Sequence, residues 1–372
     1  MSTWFRIVGP LGTDRAPLLC LHGGPGMPSD ALDSLAALAS GGRTVIRYDQ
    51  LGCGRSDRPR DPALWTLSTF VEELVAVRRA LGLDRVHLLG WSWGGMLALE
   101  YLLDRRPDGV ESLVLASAPA SAPLWREEVR RLRDQLPDHV VRAMVRYEST
   151  CRPPRVRRPR PRSSSRIRKG VSPTTATLVA VASRAVFDAL AHPVVIRAAA
   201  AASVVPALRR AAYEIVNVEY IRRHVMRGRP RDAPLSAFRS FAGMNRQVYE
   251  AMWGPSEFFG RGVLSDWDVS GRLGEITVPT LVTSGRHDEA TPRQMALLAE
   301  GIPDASWVVF EDSAHGALME QPQHYREVLE AFLGRVEAAA PTSPRTAAGS
   351  RGDHAPDAVL SNVGEARPAA RA

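Results

Sequence analysis

Lysine is almost absent from the chain: Lys169 stands alone among 48 basic residues, so the arginine excess reflects codon composition as much as function. Cysteine is scarce too. Cys20, Cys53 and Cys151 are widely spaced and form no C-x-x-C pair, which argues against a disulfide framework or a cysteine zinc site and fits a reducing compartment. No charged stretch followed by an apolar core and a small-residue cleavage site opens the chain, so no signal peptide is expected. The most apolar region, 174–208, is interrupted by Arg184, Asp188, His192 and Arg197. It lacks the unbroken run of about 18–20 apolar residues that a membrane helix needs. The expectation is a soluble cytoplasmic protein without a membrane partner.

Acidic residues are missing from one region only. Residues 152–170 carry Arg152, Arg155, Arg157, Arg158, Arg160, Arg162, Arg166, Arg168 and Lys169 with no acidic residue between them. The formal net charge is +8, and without these nine it is −1. The basicity is therefore local and not a field over a binding face. Interleaved aromatics are absent there, so no nucleic-acid partner is expected. A hydrophobic fraction of 45% over 372 residues is ample for one large α/β domain carrying an insertion.

In chain order, Trp4–Val8, Pro17–Leu21, Thr44–Tyr48, Val86–Leu89 and Ser112–Ala116 read as strands. Between them, Asp30–Ala39 and the Phe70, Leu74, Val77, Leu81 series read as helices. Continuous apolar strands alternating with helices predict a buried, mostly parallel sheet covered on both faces, the first part of the core spanning 1–119. From 120 to 270 the alternation stops. Helices are expected at Leu124–Leu136, Asp138–Tyr147, Val179–Ala202, Tyr213–Met226 and Phe238–Met252, forming an inserted helical cap. Within it lies a basic, then Ala-rich insertion at about 152–210, whose segment 152–173 is expected to be disordered or a linker. Strands resume at Thr280–Thr283 and Trp307–Phe310, and helices at Pro292–Glu300 and Pro322–Val336 close the second part of the core, 271–337. The Pro/Ala/Gly/Ser/Arg tail 338–372 is expected to be disordered, and its Arg351-Gly352-Asp353 tripeptide is put down to chance.

The stretch Gly90-Trp91-Ser92-Trp93-Gly94 fits G-x-S-x-G, with an apolar strand before it and a helical pattern directly after. Strand, sharp turn and helix make it a nucleophile elbow, with Ser92 at the tip. Asp288 follows the strand at Thr280, and His315 follows the strand at Trp307. Ser92, Asp288 and His315 thus stand at three strand ends, in the order serine, acid, histidine. A serine hydroxyl needs a base to take its proton, and His315 would be that base with Asp288 fixing its tautomer. The oxyanion formed on attack needs donors: the backbone N–H of Trp93, and one from Gly24 in His22-Gly23-Gly24-Pro25-Gly26. Among the other histidines, His87 lies within a strand and reads as packing; His139, His192 and His224 fall in the cap, His324 on the last helix and His354 in the tail. Asp266 and Asp268 precede their strand and read as surface residues, and Asp312 lies too near His315 in sequence to orient it. Trp93 and Trp253 could wall a small apolar pocket, though core packing accounts for Trp253 equally well. Nothing in these motifs calls for a metal or cofactor.

His22–Gly26, Asp49-Gln50-Leu51-Gly52-Cys53-Gly54-Arg55-Ser56 and Gly90–Gly95 resemble the signatures of prolyl aminopeptidases (proline iminopeptidases), which have the α/β-hydrolase fold. Gly254-Pro255-Ser256-Glu257-Phe258, Asp266-Trp267-Asp268 and Gly285–Pro292 resemble the tricorn-interacting aminopeptidase branch. The resemblance covers about 3–150 and 212–335. It implies a serine exopeptidase that removes an N-terminal residue, preferably proline, from small peptides or amino-acid amides. It also implies that Glu257 and Glu289 bind the substrate's free α-amino group. That role suits carboxylates, because charge-assisted hydrogen bonds are about twice as strong as neutral ones. The chain departs from the family in the insertion at 152–210, which could lie outside the fold or disturb the cap, and in having no strand before Trp4–Val8. The same triad would serve an esterase, amidase or lactonase, and a hydrolase-like ligand-binding protein is the non-enzymatic alternative.

Overall fold

The computed structural model describes residues 1–10, 12–151, 173–227, 233–339 and 357–361. The strands are β1 (Ser2–Val8), β2 (Leu18–Leu21), β3 (Val45–Tyr48), β4 (Val86–Trp91), β5 (Val110–Ala116), β6 (Thr280–Gly285), β7 (Ala305–Phe310) and β8 (Asp357–Ser361). They form one sheet in the order β7-β6-β5-β4-β2-β3-β1-β8. The pairings from β3 through β2, β4, β5 and β6 to β7 are parallel, whereas β1 runs antiparallel to β3. Strands β2, β3, β4 and β6 are buried along their whole length. That is why they read as continuous apolar runs and not as alternating ones.

The helical element after β2, Ser29–Gly41, is a 3-10 helix. Helix α1 (Leu67–Ala80) is capped by the Thr66 hydroxyl, which accepts from the Thr69 N–H, and buries Phe70, Leu74 and Val77 against the sheet. Each such side chain contributes roughly 1.5–3 kcal/mol of burial. The elbow helix α2 (Trp93–Glu100) follows β4 directly.

Between β5 and β6 the described chain is helical: α3 (Ala122–Arg133), α4 (Asp138–Glu148), α5 (Pro173–Leu190), α6 (Pro193–Ala202), α7 (Arg209–Tyr220), α8 (Leu235–Ala242) and α9 (Arg246–Met252). The expected single helix over 179–202 is two, because Pro193 cannot continue the ladder and starts a new helix with His192 as its cap. The helix expected over 238–252 is likewise divided near Gly243, with Asn245 capping the second part. The Ala-rich half of the insertion is not a loop outside the fold. Ala180, Ile196, Ala199 and Ala200 are buried, and α5 and α6 pack against α8 and against α4 and α7. The basic segment 152–172 lies outside the described residues. The helical region leaves and rejoins the sheet at one stitched point. Ser121 Oγ donates to Asp268 while accepting from the Leu124 N–H, and Val269 N–H donates to Ala120 O. Asp268 therefore fastens the exit to the entry, a structural role beyond the surface position expected for it.

After β6 come α10 (Pro292–Gly301), β7, α11 (Ala317–Glu320) and α12 (Pro322–Ala339). The expectation of a disordered tail from 338 is corrected at both described points. Helix α12 runs through Ala339, and β8 pairs antiparallel with β1 from Ser2↔Ser361 to Arg6↔Asp357. The run Asp357-Ala358-Val359-Leu360-Ser361 carries β-forming residues inside a polar tail, and the open edge of β1 gives it a ladder to join. This strand occupies the outer position beside β1. The remaining tail, including Arg351–Asp353 and His354, lies outside the described residues. Among the described residues no single helix is long and apolar enough to cross a membrane; α6 and the end of α5 reach that length only as a pair bent by 80°.

Deleting residues 340–372 should uncover the edge of β1. The expected outcome is a melting temperature lowered by a few degrees together with concentration-dependent self-association, read by thermal melting and sedimentation velocity. An unchanged melt and a monomeric profile would show that β8 contributes no stability.

Candidate active site

The elbow is built by close approach. Gly90 and Gly94 flank Ser92 because a Cβ on Gly94 would lie 2.1 Å from Leu21 O, and one on Gly90 would lie 2.3 Å from Gly94 O. Ser92 takes φ 55° and ψ −120°, a conformation costly for a non-glycine residue and held here by its N–H bond to Ala116 O at 2.8 Å. The strain lifts the hydroxyl off the end of β4. The Trp93 N–H opens α2 and donates to no protein acceptor among the described residues. Its ring does not wall a pocket. The indole is 1% exposed, lies edge-on to Phe70 and donates from Nε1 to Gln50 Oε1 at 2.8 Å.

The glycine loop after β2 lies against the serine, since a Cβ on Gly23 would sit 3.2 Å from Ser92 Cβ. Gly24 has φ +121°, which L side chains rarely adopt, and its N–H is also without a protein acceptor among the described residues. Gln50 holds this loop to the elbow. Its backbone N–H donates to His22 Nε2 at 2.9 Å, its Nε2 donates to His22 O at 3.1 Å, and its Oε1 accepts from Trp93. Because His22 Nε2 accepts, the ring proton is on Nδ1 and donates to Gly23 O at 3.0 Å. Burial favours this neutral ring by pushing its pKa down. The remainder of the Asp49–Ser56 motif is framework. Asp49 accepts from the Ser29 N–H and hydroxyl and from Arg55, whose guanidinium stacks 4.0 Å above the Trp4 ring.

At the far side of the serine, His315 Nδ1 donates to Asp288 Oδ1 at 2.8 Å. The same oxygen accepts from the Ala290 N–H, while Oδ2 accepts from Ser117 Oγ at 2.6 Å and from the Gly285 N–H at 3.3 Å. Four donors fix the carboxylate in place, and it fixes the imidazole tautomer. The Ser92 hydroxyl makes no hydrogen bond to His315 Nε2 in this conformation, as is common before substrate tightens a site.

Glu257 and Glu289 converge on the same imidazole. Glu289, 5% exposed, places Oε1 3.9 Å from His315 Nε2, and its Oε2 is buried without a hydrogen-bond partner. Glu257, partly exposed, accepts from Trp125 Nε1 at 2.5 Å and from the Tyr249 hydroxyl at 2.6 Å. Desolvation raises the pKa of both. Glu289 reaches about 8 with the Glu257 charge adding to the rise, while the Tyr249 and Trp125 donors oppose the rise of Glu257. Burial disfavours the His315 imidazolium, yet Asp288, Glu289 and Glu257 outweigh it and push the group up to about 9. Trp91 and Trp125 flank the ring at 5.6 and 5.8 Å.

Every expected site residue lies in this region, and several partners had no sequence signal of their own. Trp125 sits on a helix whose amphipathic pattern reads as packing. Ser117 and Tyr249 act only through tertiary contacts. Trp253 is buried and donates from Nε1 to Glu257 O, so it braces the Glu257 backbone. His224 joins the two loops at the site. Its carbonyl accepts from the Glu289 and His315 N–H groups, and its ring Nδ1 pairs with His287 O. Gln50 was visible inside the Asp49–Ser56 motif, without its role. His87 packs as expected, buried and bonded to Ser112 Oγ. Among the described residues no group of three or more His, Cys, Asp or Glu is placed to hold a metal ion.

A parallel sheet with a strained serine elbow after β4, and an acid and a histidine after β6 and β7, defines an α/β-hydrolase. In agreement, residues 16–142 match the family described as alpha/beta hydrolase fold. The proline iminopeptidase of Levilactobacillus brevis is 34% identical over 333 residues, covering 89% of this chain and 93% of that protein. The proline iminopeptidase of Heyndrickxia coagulans is 36% identical, covering 86% and 91%. Among solved structures, a Mycobacterium smegmatis proline iminopeptidase superposes with a TM-score of 0.69 at 36% identity, covering 91% of this chain and 96% of that one. VinJ superposes at 0.70 with 31% identity, covering 90% and 95%. The chain belongs to the proline iminopeptidase family.

Replacing Gln50 by Met keeps the volume but leaves Trp93 Nε1 and His22 O unpaired. The expected result is a kcat lowered by roughly 10–100-fold as the two N–H groups lose register, with stability reduced by about 1–3 kcal/mol. Steady-state kinetics and urea titration read the two effects separately. An unchanged kcat would remove Gln50 from the positioning of the loop.

Proposed function

We propose that the protein is a serine aminopeptidase that hydrolyses the N-terminal residue, preferably proline, from small peptides or amino-acid amides. The observation that carries this reading is the convergence of Glu257 and Glu289 on His315 beside Ser92. An exopeptidase must hold a cationic amine within one residue of the scissile carbonyl, and two carboxylates gathered about the imidazole that would serve as base supply a binding site for it. The relatives' names point to proline as the first residue.

In this reading Ser92 Oγ attacks the carbonyl carbon while His315 Nε2 takes its proton, and Asp288 stabilises the resulting imidazolium. The negative oxygen of the tetrahedral intermediate is received by the N–H groups of Trp93 and Gly24, which have no protein acceptor among the described residues and neighbour Ser92 and the Gly23 backbone packed on it. Collapse of the intermediate breaks the C–N bond, and His315 returns its proton to the leaving amine. Water, deprotonated by the same imidazole, then attacks the acyl-serine and frees the amino acid. Ammonium held by Glu257 and Glu289 sets which carbonyl reaches Ser92, so a chain with a blocked amine is placed poorly.

Proline and alanine arylamides, their N-acetylated forms and p-nitrophenyl acetate test this directly. Free-amine arylamides should be hydrolysed, and Ser92→Ala should reduce the rate by roughly 10⁴-fold or more. Glu257→Gln should lower kcat/KM for free-amine substrates by roughly 10–100-fold, with less than about a threefold effect on the ester. Equal rates on blocked and free arylamides would remove the aminopeptidase reading and leave an esterase or amidase.

A further inference from the structure

Three carboxyl groups share the pocket around His315 with one imidazole. Asp288 and Glu289 face the imidazole from the loop after β6, and Glu257 faces it from the helical region. The Trp91 and Trp125 rings and the His224 carbonyl that also pack on it are neutral, and Glu320 stands one residue away, accepting from the Ala314 N–H. Beside Glu289 lie the buried Tyr220 hydroxyl, whose interaction with this carboxyl opposes the rise of its pKa, and Gln294, whose amide is committed to the Glu289 carbonyl. Nε2 points toward a carboxylate 3.9 Å away and makes no bond to Ser92, while the other oxygen of that carboxylate is buried and unpartnered.

We propose that the substrate's ammonium group is the switch that turns His315 into a base. In the free protein the imidazolium is the counter-cation of the carboxylates. When the ammonium enters between Glu257 and Glu289 it takes over that role, and the Nε2–H bond breaks. The proton passes to solvent, and the lone pair left on Nε2 accepts from the Ser92 hydroxyl. The entering cation replaces the ring proton that leaves. This rests on Glu257 and Glu289 as the amine anchors. Glu289 thereby also holds the enzyme inactive toward carbonyl compounds that bring no cation. The general-base form is scarce at neutral pH because the imidazole is held up to about 9, and activity without a cation must rise as pH approaches that value.

Two measurements test the switch. Because Glu289 is itself held up to about 8, the proton is followed at the ring: binding of L-prolinamide to the Ser92→Ala protein at pH 7 should move the His315 ring resonances from the imidazolium to the neutral position by NMR, with net proton release read calorimetrically. Hydrolysis of p-nitrophenyl acetate by the unsubstituted protein should rise with an apparent pKa near 9, while kcat for a proline arylamide should rise at a pH lower by more than a unit. Glu289→Gln should shift the ester profile to lower pH and increase ester hydrolysis at pH 7 several-fold, while weakening arylamide hydrolysis. A misfolded variant would not gain activity. Binding that leaves the ring as imidazolium, or coincident profiles for the two substrates, would overturn the switch and leave the amine anchors standing. Failure of L-prolinamide to bind, with blocked and free arylamides cleaved equally, would instead overturn the anchors.

Discussion

Three carboxylates packed around one imidazole impose the constraint to which the rest of the site answers. Buried charge of one sign is costly unless something opposite neutralises it, and such groups shift their protonation until the balance is met. Here Asp288 meets its share with four donors: Ser117 just after β5, Gly285 at the end of β6, Ala290 in the loop that follows, and His315. Glu257 meets part of its share with an indole and a phenol. Glu289 has the imidazole at a distance and an oxygen with no partner. The inequality among the three is what gives them different roles on one small surface.

Labour is divided between the two parts of the chain. On the proposed reading the sheet supplies the nucleophile, the base, the acid and the two N–H groups, each at the carboxyl end of a strand. The helical region supplies Glu257 with its Trp125 and Tyr249 donors, and the His224 carbonyl that binds the loops carrying Glu289 and His315. Because Ser121 and Asp268 close that region at a single point, its helices can differ in number and length without moving the strands. The insertion at 152–210 shows this, since α5 and α6 are absorbed as further helical packing and the elbow keeps its geometry.

The elements legible in the sequence are those with local causes. A strand buried on both faces is an apolar run; the elbow needs glycine at fixed offsets; acid and histidine follow their strands directly. What escaped is non-local. Gln50 stands in a recognisable motif, yet its three hydrogen bonds join segments from different parts of the chain. Trp125 carries the pattern of an ordinary core-facing helix, and only the fold turns its N–H toward Glu257. Pro193 could have divided the helix over 179–202, since proline lacks the donor that a helix interior requires. Strand β8 was hidden for another reason: a five-residue run has little periodicity, and its ladder partner lies at the other end of the sequence.

That last pairing sets an order of events during synthesis. Ser2 and Ser361 are neighbours in the sheet but some of the most distant residues in the chain. At ribosomal speeds of about 5–20 residues per second, β1 is complete roughly 20–70 s before its outer neighbour exists. The earliest strand to be made is therefore the last to be covered. Throughout that interval its unpaired N–H and C=O groups are available to any other extended chain nearby.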